Sequence, residues 1–184
     1  MQKVFPKPLS AYPWWIRIFF WQQRRKYGKV LDPGLLWGRS PKVFATVALL
    51  YGALDRRHSP LSPVLRSLVT VRVSQINHCA FCVDINSATL MKRGIPMEKA
   101  AAVANWKTAT AGMFTGQEQL ALEYAEAMTL NTVDDALRDK LKAYWDDDTV
   151  VELTGLIAFQ NLSSKFNSAL DLPAQGFCKP KTSN

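Results

Sequence analysis

Apolar residues recur at spacings of three and four along this chain, in blocks broken by proline, glycine and capping residues, and the pattern predicts helix almost throughout. Pro6, Pro8 and Pro13 keep the opening residues extended or turning, and Pro13 suits the first position of a helix running to about Tyr27 and stopped by Gly28. Leu31-Asp32-Pro33-Gly34 reads as a turn, and Arg39-Ser40-Pro41 opens a helix to about Arg56. Ser62 followed by Pro63 is a ready N-cap for a helix through Leu65, Leu68, Val69, Val71 and Val73, although β-branching over 69–73 also suits a strand. Asn77 can cap the next helix, placing Cys79 in its first turn, and Lys92-Arg93-Gly94 with Pro96 ends it. Further helices are predicted from Pro96 to about Trp106, from the capping box Thr115-Gly116-Gln117-Glu118 through Leu130, from Thr132 to near Trp145, and from Val150 to about Leu170. Pro173 onward is tail.

The first helix is apolar around too much of its circumference for a plain surface helix, so it should pack on the main body or on another subunit. Its alternative, an interfacial membrane anchor aided by Arg24, Arg25 and Lys26, is the less favoured reading. The stretch Trp14–Trp21 is too short to span a bilayer. Arg17 interrupts it and no small-residue cleavage site follows, so a cytoplasmic protein is expected.

With 184 residues and 48% hydrophobic content, the chain suits one domain, or one domain with an arm. The net charge of +8 raises the question of an anionic partner, but the basic residues are scattered and no nucleic-acid-binding motif appears. Nucleic-acid binding is therefore not expected. Asp146, Asp147 and Asp148 lack calcium-loop spacing and read as helix-start acids, and His58 reads as solvated.

Candidate chemistry resides in Cys79-Ala-Phe-Cys82. Three cysteines do not make a disulfide framework, and Cys178, in the tail, reads as a bystander. Two thiols three residues apart at a helix start can close a disulfide, and the free N–H groups there favour thiolate over thiol. If residues 78–92 are helical, His78, Cys79, Cys82 and Asn86 share one face, with Cys79 the more exposed thiol and Cys82 a turn deeper.

The stretch from Leu65 through Cys82 and on to Arg93-Gly94 resembles the core motif of the carboxymuconolactone decarboxylase / alkylhydroperoxidase D family. So do Gln119–Ala125 and the last helix ending Phe166-Asn167-Ser168-Ala169-Leu170. The resemblance covers roughly residues 41–172, leaving an N-terminal Trp-rich arm over 1–40 and a tail over 173–184. It implies an all-α, alkylhydroperoxidase D-like domain that assembles as a homo-oligomer, commonly a trimer or hexamer. It also implies peroxide reduction through a thiol–disulfide cycle, in which Cys82 is oxidised and Cys79 closes the disulfide. A dithiol or disulfide-reductase partner restores the pair, and no metal or organic cofactor is required.

Two positions depart from the family. Its histidine, one turn after the second cysteine, aligns with Asn86, and its relay glutamate falls at Ser67. Neither residue takes a proton at neutral pH. His78 is then the candidate base, Arg66, Arg72 or Asp84 are candidates to reach the site, and thiolate character should come mainly from the helix terminus and nearby arginines. Asn86 would only orient water or substrate, while Ser67 also reads simply as a helix-packing residue. Two rivals stand beside the peroxidase reading: a lyase acting on a carboxylated lactone, and a noncatalytic redox-sensing or scaffold protein.

Overall fold

The computed structural model describes residues 4–178 and contains nine α-helices and no strand among them. They are α1 (Trp14–Tyr27), α2 (Asp32–Trp37), α3 (Pro41–Leu54), α4 (Pro63–Ile76), α5 (Ala80–Lys92), α6 (Met97–Ala102), α7 (Gly116–Leu130), α8 (Asp135–Tyr144) and α9 (Asp147–Ala169). The start signals act as read. Ser62 Oγ accepts from Leu65 N–H at 3.1 Å, and Thr115 and Glu118 form a complete capping box. Asp146 caps α9 through Thr149 N–H at 2.7 Å, which gives the three consecutive acids a structural role.

Helix α4 is the centre of the molecule. Leu68, Val69, Val71 and Val73 are wholly buried, with α5, α7 and α9 packed around it. Burial on every side decides its β-branched run in favour of helix, because each valine meets a neighbouring helix rather than a cross-strand partner. Leu65, Val69 and Val73 join Leu153 and Ile157 of α9 in one core, while Leu68 and Val71 join Leu90 and Leu122 in another.

Two expectations need correction. Residues 31–34 are not a turn: Leu31 caps α2, and Gly34 lies so close to Gln23 that a Cβ there would stand 3.1 Å from its amide oxygen. The segment from Pro96 to Trp106 is not one helix either. It passes from α6 into a 3-10 turn over Val103–Thr108, where Asn105 leaves helical geometry.

The arm packs on the body. Ile16 and Phe20 of α1 bury with Tyr12 against Phe44 of α3. Tyr12 Oη donates to Leu35 O at 2.9 Å, and Trp37 stacks on Phe166 of α9 with ring centroids 3.6 Å apart. The outer face of α1 stays open, with Trp14 72% and Trp21 55% exposed. No helix among the described residues is long and apolar enough to cross a membrane.

Candidate active site

The α4–α5 turn sets the cysteine pair. His78 takes a left-handed backbone (φ 51°), so α5 begins only at Ala80, and Cys79 rather than Asn77 is its N-cap. Cys79 N–H donates to Ser74 O at 3.0 Å, closing the turn. Helix α9 fastens it from outside: Asn77 Nδ2 donates to Asn161 Oδ1 and Ser164 Oγ, both at 2.8 Å, and Ser168 Oγ donates to Asn77 O at 2.8 Å.

Cys79 and Cys82 are joined as a disulfide, with Cα atoms 5.2 Å apart. Each sulfur also has its own donor. Cys82 N–H points at Cys79 Sγ at 3.2 Å, and Asn167 Nδ2 of α9 points at Cys82 Sγ at 3.2 Å. Both sulfurs are buried; Cys79 is 1% exposed and Cys82 2%. The expected difference in exposure is therefore not found: both are buried, Cys79 because its capping side chain folds back over the helix end. Of the two cysteines, Cys82 lines a cavity.

That cavity measures about 370 Å³. The arm builds one wall with Phe19, Tyr27 and Trp37, α3 supplies Phe44 and Tyr51, and Phe81 and Phe159 complete the aromatic lining. Among its polar lining residues Asn86 and Gln160 are linked: Asn86 Nδ2 lies 3.1 Å from Ser74 Oγ and 3.3 Å from Gln160 Oε1, and Gln160 Nε2 donates to Ser74 Oγ at 3.0 Å. Lys26 is the one charged side chain among the described lining residues, which include neither a histidine nor a carboxylate.

Of the residues singled out in the sequence, the structure brings together Cys79, Cys82 and Asn86. It separates the others. His78 sits outside the helix, exposed, and does not line the cavity. Ser67 is buried in a different cluster, where its Oγ accepts from Arg93 Nη1 at 2.8 Å while Arg93 Nη2 pairs with Asp55 at 2.8 Å. Arg66 donates to the carbonyls of Leu54 and Arg56, and Arg72 pairs with Glu126, so neither arginine reaches the sulfurs.

Asp84 turns the other way. Its carboxylate accepts the backbone N–H groups of Gln175, Phe177 and Cys178 at 2.8, 3.0 and 2.7 Å, latching the tail across α5. Burial works to raise its pKa, but these bonds outweigh burial and hold the carboxyl below its ordinary 3.8. Phe177 thereby packs in the cluster that contains Phe81, Cys79 and Cys82. Burial and the Asp84 charge push the Cys178 thiol up, consistent with an unreactive cysteine.

Gln160 and Asn167 were missed in the sequence, although a signal was present. Leu153, Ile157, Gln160, Ser164 and Asn167 lie at spacings of four and three on α9, and all five are buried. Polar residues continuing an apolar stripe are inward-facing and need partners.

Comparison with known proteins agrees with this architecture. The carboxymuconolactone decarboxylase family profile matches residues 41–127. The protein YnjA of Escherichia coli (strain K12) is 49% identical over 174 residues, 94% of each chain. This chain belongs to the carboxymuconolactone decarboxylase family. A peroxidase-related protein from Ralstonia eutropha JMP134, described as an alkylhydroperoxidase AhpD core, superposes with a TM-score of 0.84 at 23% identity, over 95% of this chain and 93% of its own. The debrominase Bmp8 superposes with a TM-score of 0.80 at 19% identity, over 94% and 91%. At these identities the two structures speak for the fold, which this family member shares over the arm as well as the profile region.

Proposed function

We propose that this family member is a thiol-dependent, peroxidase-like antioxidant oxidoreductase working through Cys82 and Cys79, in a reducing compartment such as the cytoplasm. The observation that carries the reading is the cysteine pair itself: the two sulfurs are bonded, and Cys82 lines a cavity. In the reduced protein the Cys82 thiolate attacks the terminal oxygen of a peroxide, the O–O bond breaks, and the alcohol or water leaves after taking a proton. Cys82 sulfenic acid then condenses with the Cys79 thiol, releasing water and forming the disulfide. An external dithiol returns two electrons by thiol–disulfide exchange and leaves as its own disulfide. Intact-mass and peptide mass spectrometry after stoichiometric hydrogen peroxide tests this. Sulfenic acid trapped at Cys82, followed by linkage to Cys79, is the expected result, and oxidation confined to Cys178 would refute it.

The aromatic lining favours peroxides with an apolar body over hydrogen peroxide. Trp37→Ala opens that wall and should raise KM for cumene hydroperoxide about fivefold to tenfold, on the scale of one lost aromatic contact. KM for hydrogen peroxide should change little; an equal rise for both would show that the wall does not select. The lyase reading is the weaker one, because proton abstraction from a lactone needs a base, and the described lining residues offer neither histidine nor carboxylate.

The open faces of α1 and α3, with Trp14, Trp21 and Leu49 exposed, suit the contacts of a homo-oligomer. Light scattering should report a trimer or hexamer, and a smaller species for the double variant Trp14→Glu, Trp21→Glu.

A further inference from the structure

With His78, Ser67 and the arginines directed elsewhere, the Cys82 sulfur has a different polar neighbour on its buried side. Asn167 is 1% exposed, its Nδ2 lies 3.2 Å from Cys82 Sγ, and it does not line the cavity. Cys82 does line it, so the residue stands between the cavity and this amide. The amide orientation follows from chemistry. A disulfide sulfur or a thiolate can only accept, so the NH2 group must face it.

The cost of this arrangement is visible in the same side chain. Asn167 Oδ1 is buried and finds no donor among the described residues. A buried acceptor without a donor is unfavourable, and native proteins keep few of them. In the disulfide form neither sulfur carries a proton to offer.

We propose that Asn167 is the positioning residue that makes Cys82 a thiolate, supplying through a neutral amide what a relay of titrating groups supplies elsewhere. A hydrogen bond to an ionised sulfur is stronger than one to a neutral sulfur, so the amide favours S⁻ over S–H. It does so without taking a proton, which separates ionisation of the nucleophile from the titration of any histidine. Cys79 has the complementary arrangement, because its sulfur is held by the Cys82 N–H at the start of α5. Each sulfur therefore has a donor ready for the negative charge it carries at a different stage: Cys82 as nucleophile, Cys79 as leaving group when an external thiol opens the disulfide at the cavity face.

The inference extends the redox reading of the site but is tested without peroxide. In reduced protein carrying Cys178→Ser, the rate of Cys82 alkylation by iodoacetamide is followed against pH by peptide mass spectrometry. Asn167→Ala should move the midpoint of that profile up by about one pH unit, which slows alkylation by roughly tenfold at pH values well below the parent midpoint and by only about twofold where the parent is already largely ionised. Asn167→Asp, close to the same shape, should move it further, since a carboxylate repels the thiolate. The disulfide potential of Asn167→Ala should fall, by about 30 mV for a tenfold loss of thiolate stabilisation. A variant that loses thermal stability but keeps the parent midpoint assigns Asn167 a packing role only and overturns the proposal, as would an unchanged profile in Asn167→Asp. Failure of peroxide turnover with these shifts intact would count against the peroxidase reading and leave the role of Asn167 standing.

Discussion

Cys82→Ser is expected to bring dithiol-dependent consumption of organic peroxide down to background, a loss on the order of a thousandfold or more. The reason is geometric. Cys82 lines the cavity, and Cys79, folded back over the end of α5, does not line it and cannot take over the attack. Cys79→Ser has a different signature: one equivalent of peroxide is consumed, Cys82 accumulates as sulfenic acid, and cycling with the dithiol stops because no internal disulfide forms. Stopped-flow assays with cumene hydroperoxide and mass analysis of the product distinguish the two variants. If Cys82→Ser retains turnover, the mechanism is wrong.

The second large effect concerns the tail. Asp84→Ala removes an acceptor shared by three backbone N–H groups, so the segment around Gln175, Phe177 and Cys178 should lose its anchor while the helices remain folded. Bonds to a charged group contribute about 1.5–3 kcal/mol each when intact, so hydrogen-exchange protection of these amides should drop by about a hundredfold. With Phe177 released from the cluster that holds both cysteines, reduction of the disulfide by dithiothreitol should also accelerate. Retention of full protection at these amides would show that the tail is held by something else.

Acid reproduces the same release in the native chain. The folded pKa of Asp84 lies below its ordinary value of 3.8, so its contribution is fully present above that value. The contribution is lost as pH falls through the lower folded pKa. Tail protection should therefore be flat above about pH 5 and weaken only in the acid range below pH 4.

How much of this was readable in the sequence depends on whether a residue acts locally. Caps and helix stops are local, and Ser62, Thr115 and Asp146 all take the roles their neighbours imply. The cysteine pair was readable for the same reason, since it is a matter of spacing on one segment. The α4–α5 turn was not. Its geometry depends on the left-handed backbone at His78 and on three side chains of α9, some 85 residues away, which together move the helix start and exclude His78 from the site. Ser67 shows the same limit: its position matches a relay residue, but Arg93 and Asp55, brought in by other helices, claim it. Asn167 needed both kinds of information, a periodicity that places it inward and a fold that places it against a sulfur.

Phe19, Tyr27 and Trp37 come from residues outside the span matched by the family profile, so one wall of the cavity is carried by a different part of the chain from the cysteine pair, while Phe44, Tyr51 and Phe81 line it from within that span. A chimera exchanging α1 and α2 with those of a distant homologue should inherit the donor's substrate preference while keeping this chain's own sulfur chemistry. Diversification within such a scaffold can then proceed at one end of the polypeptide without disturbing the reactive centre.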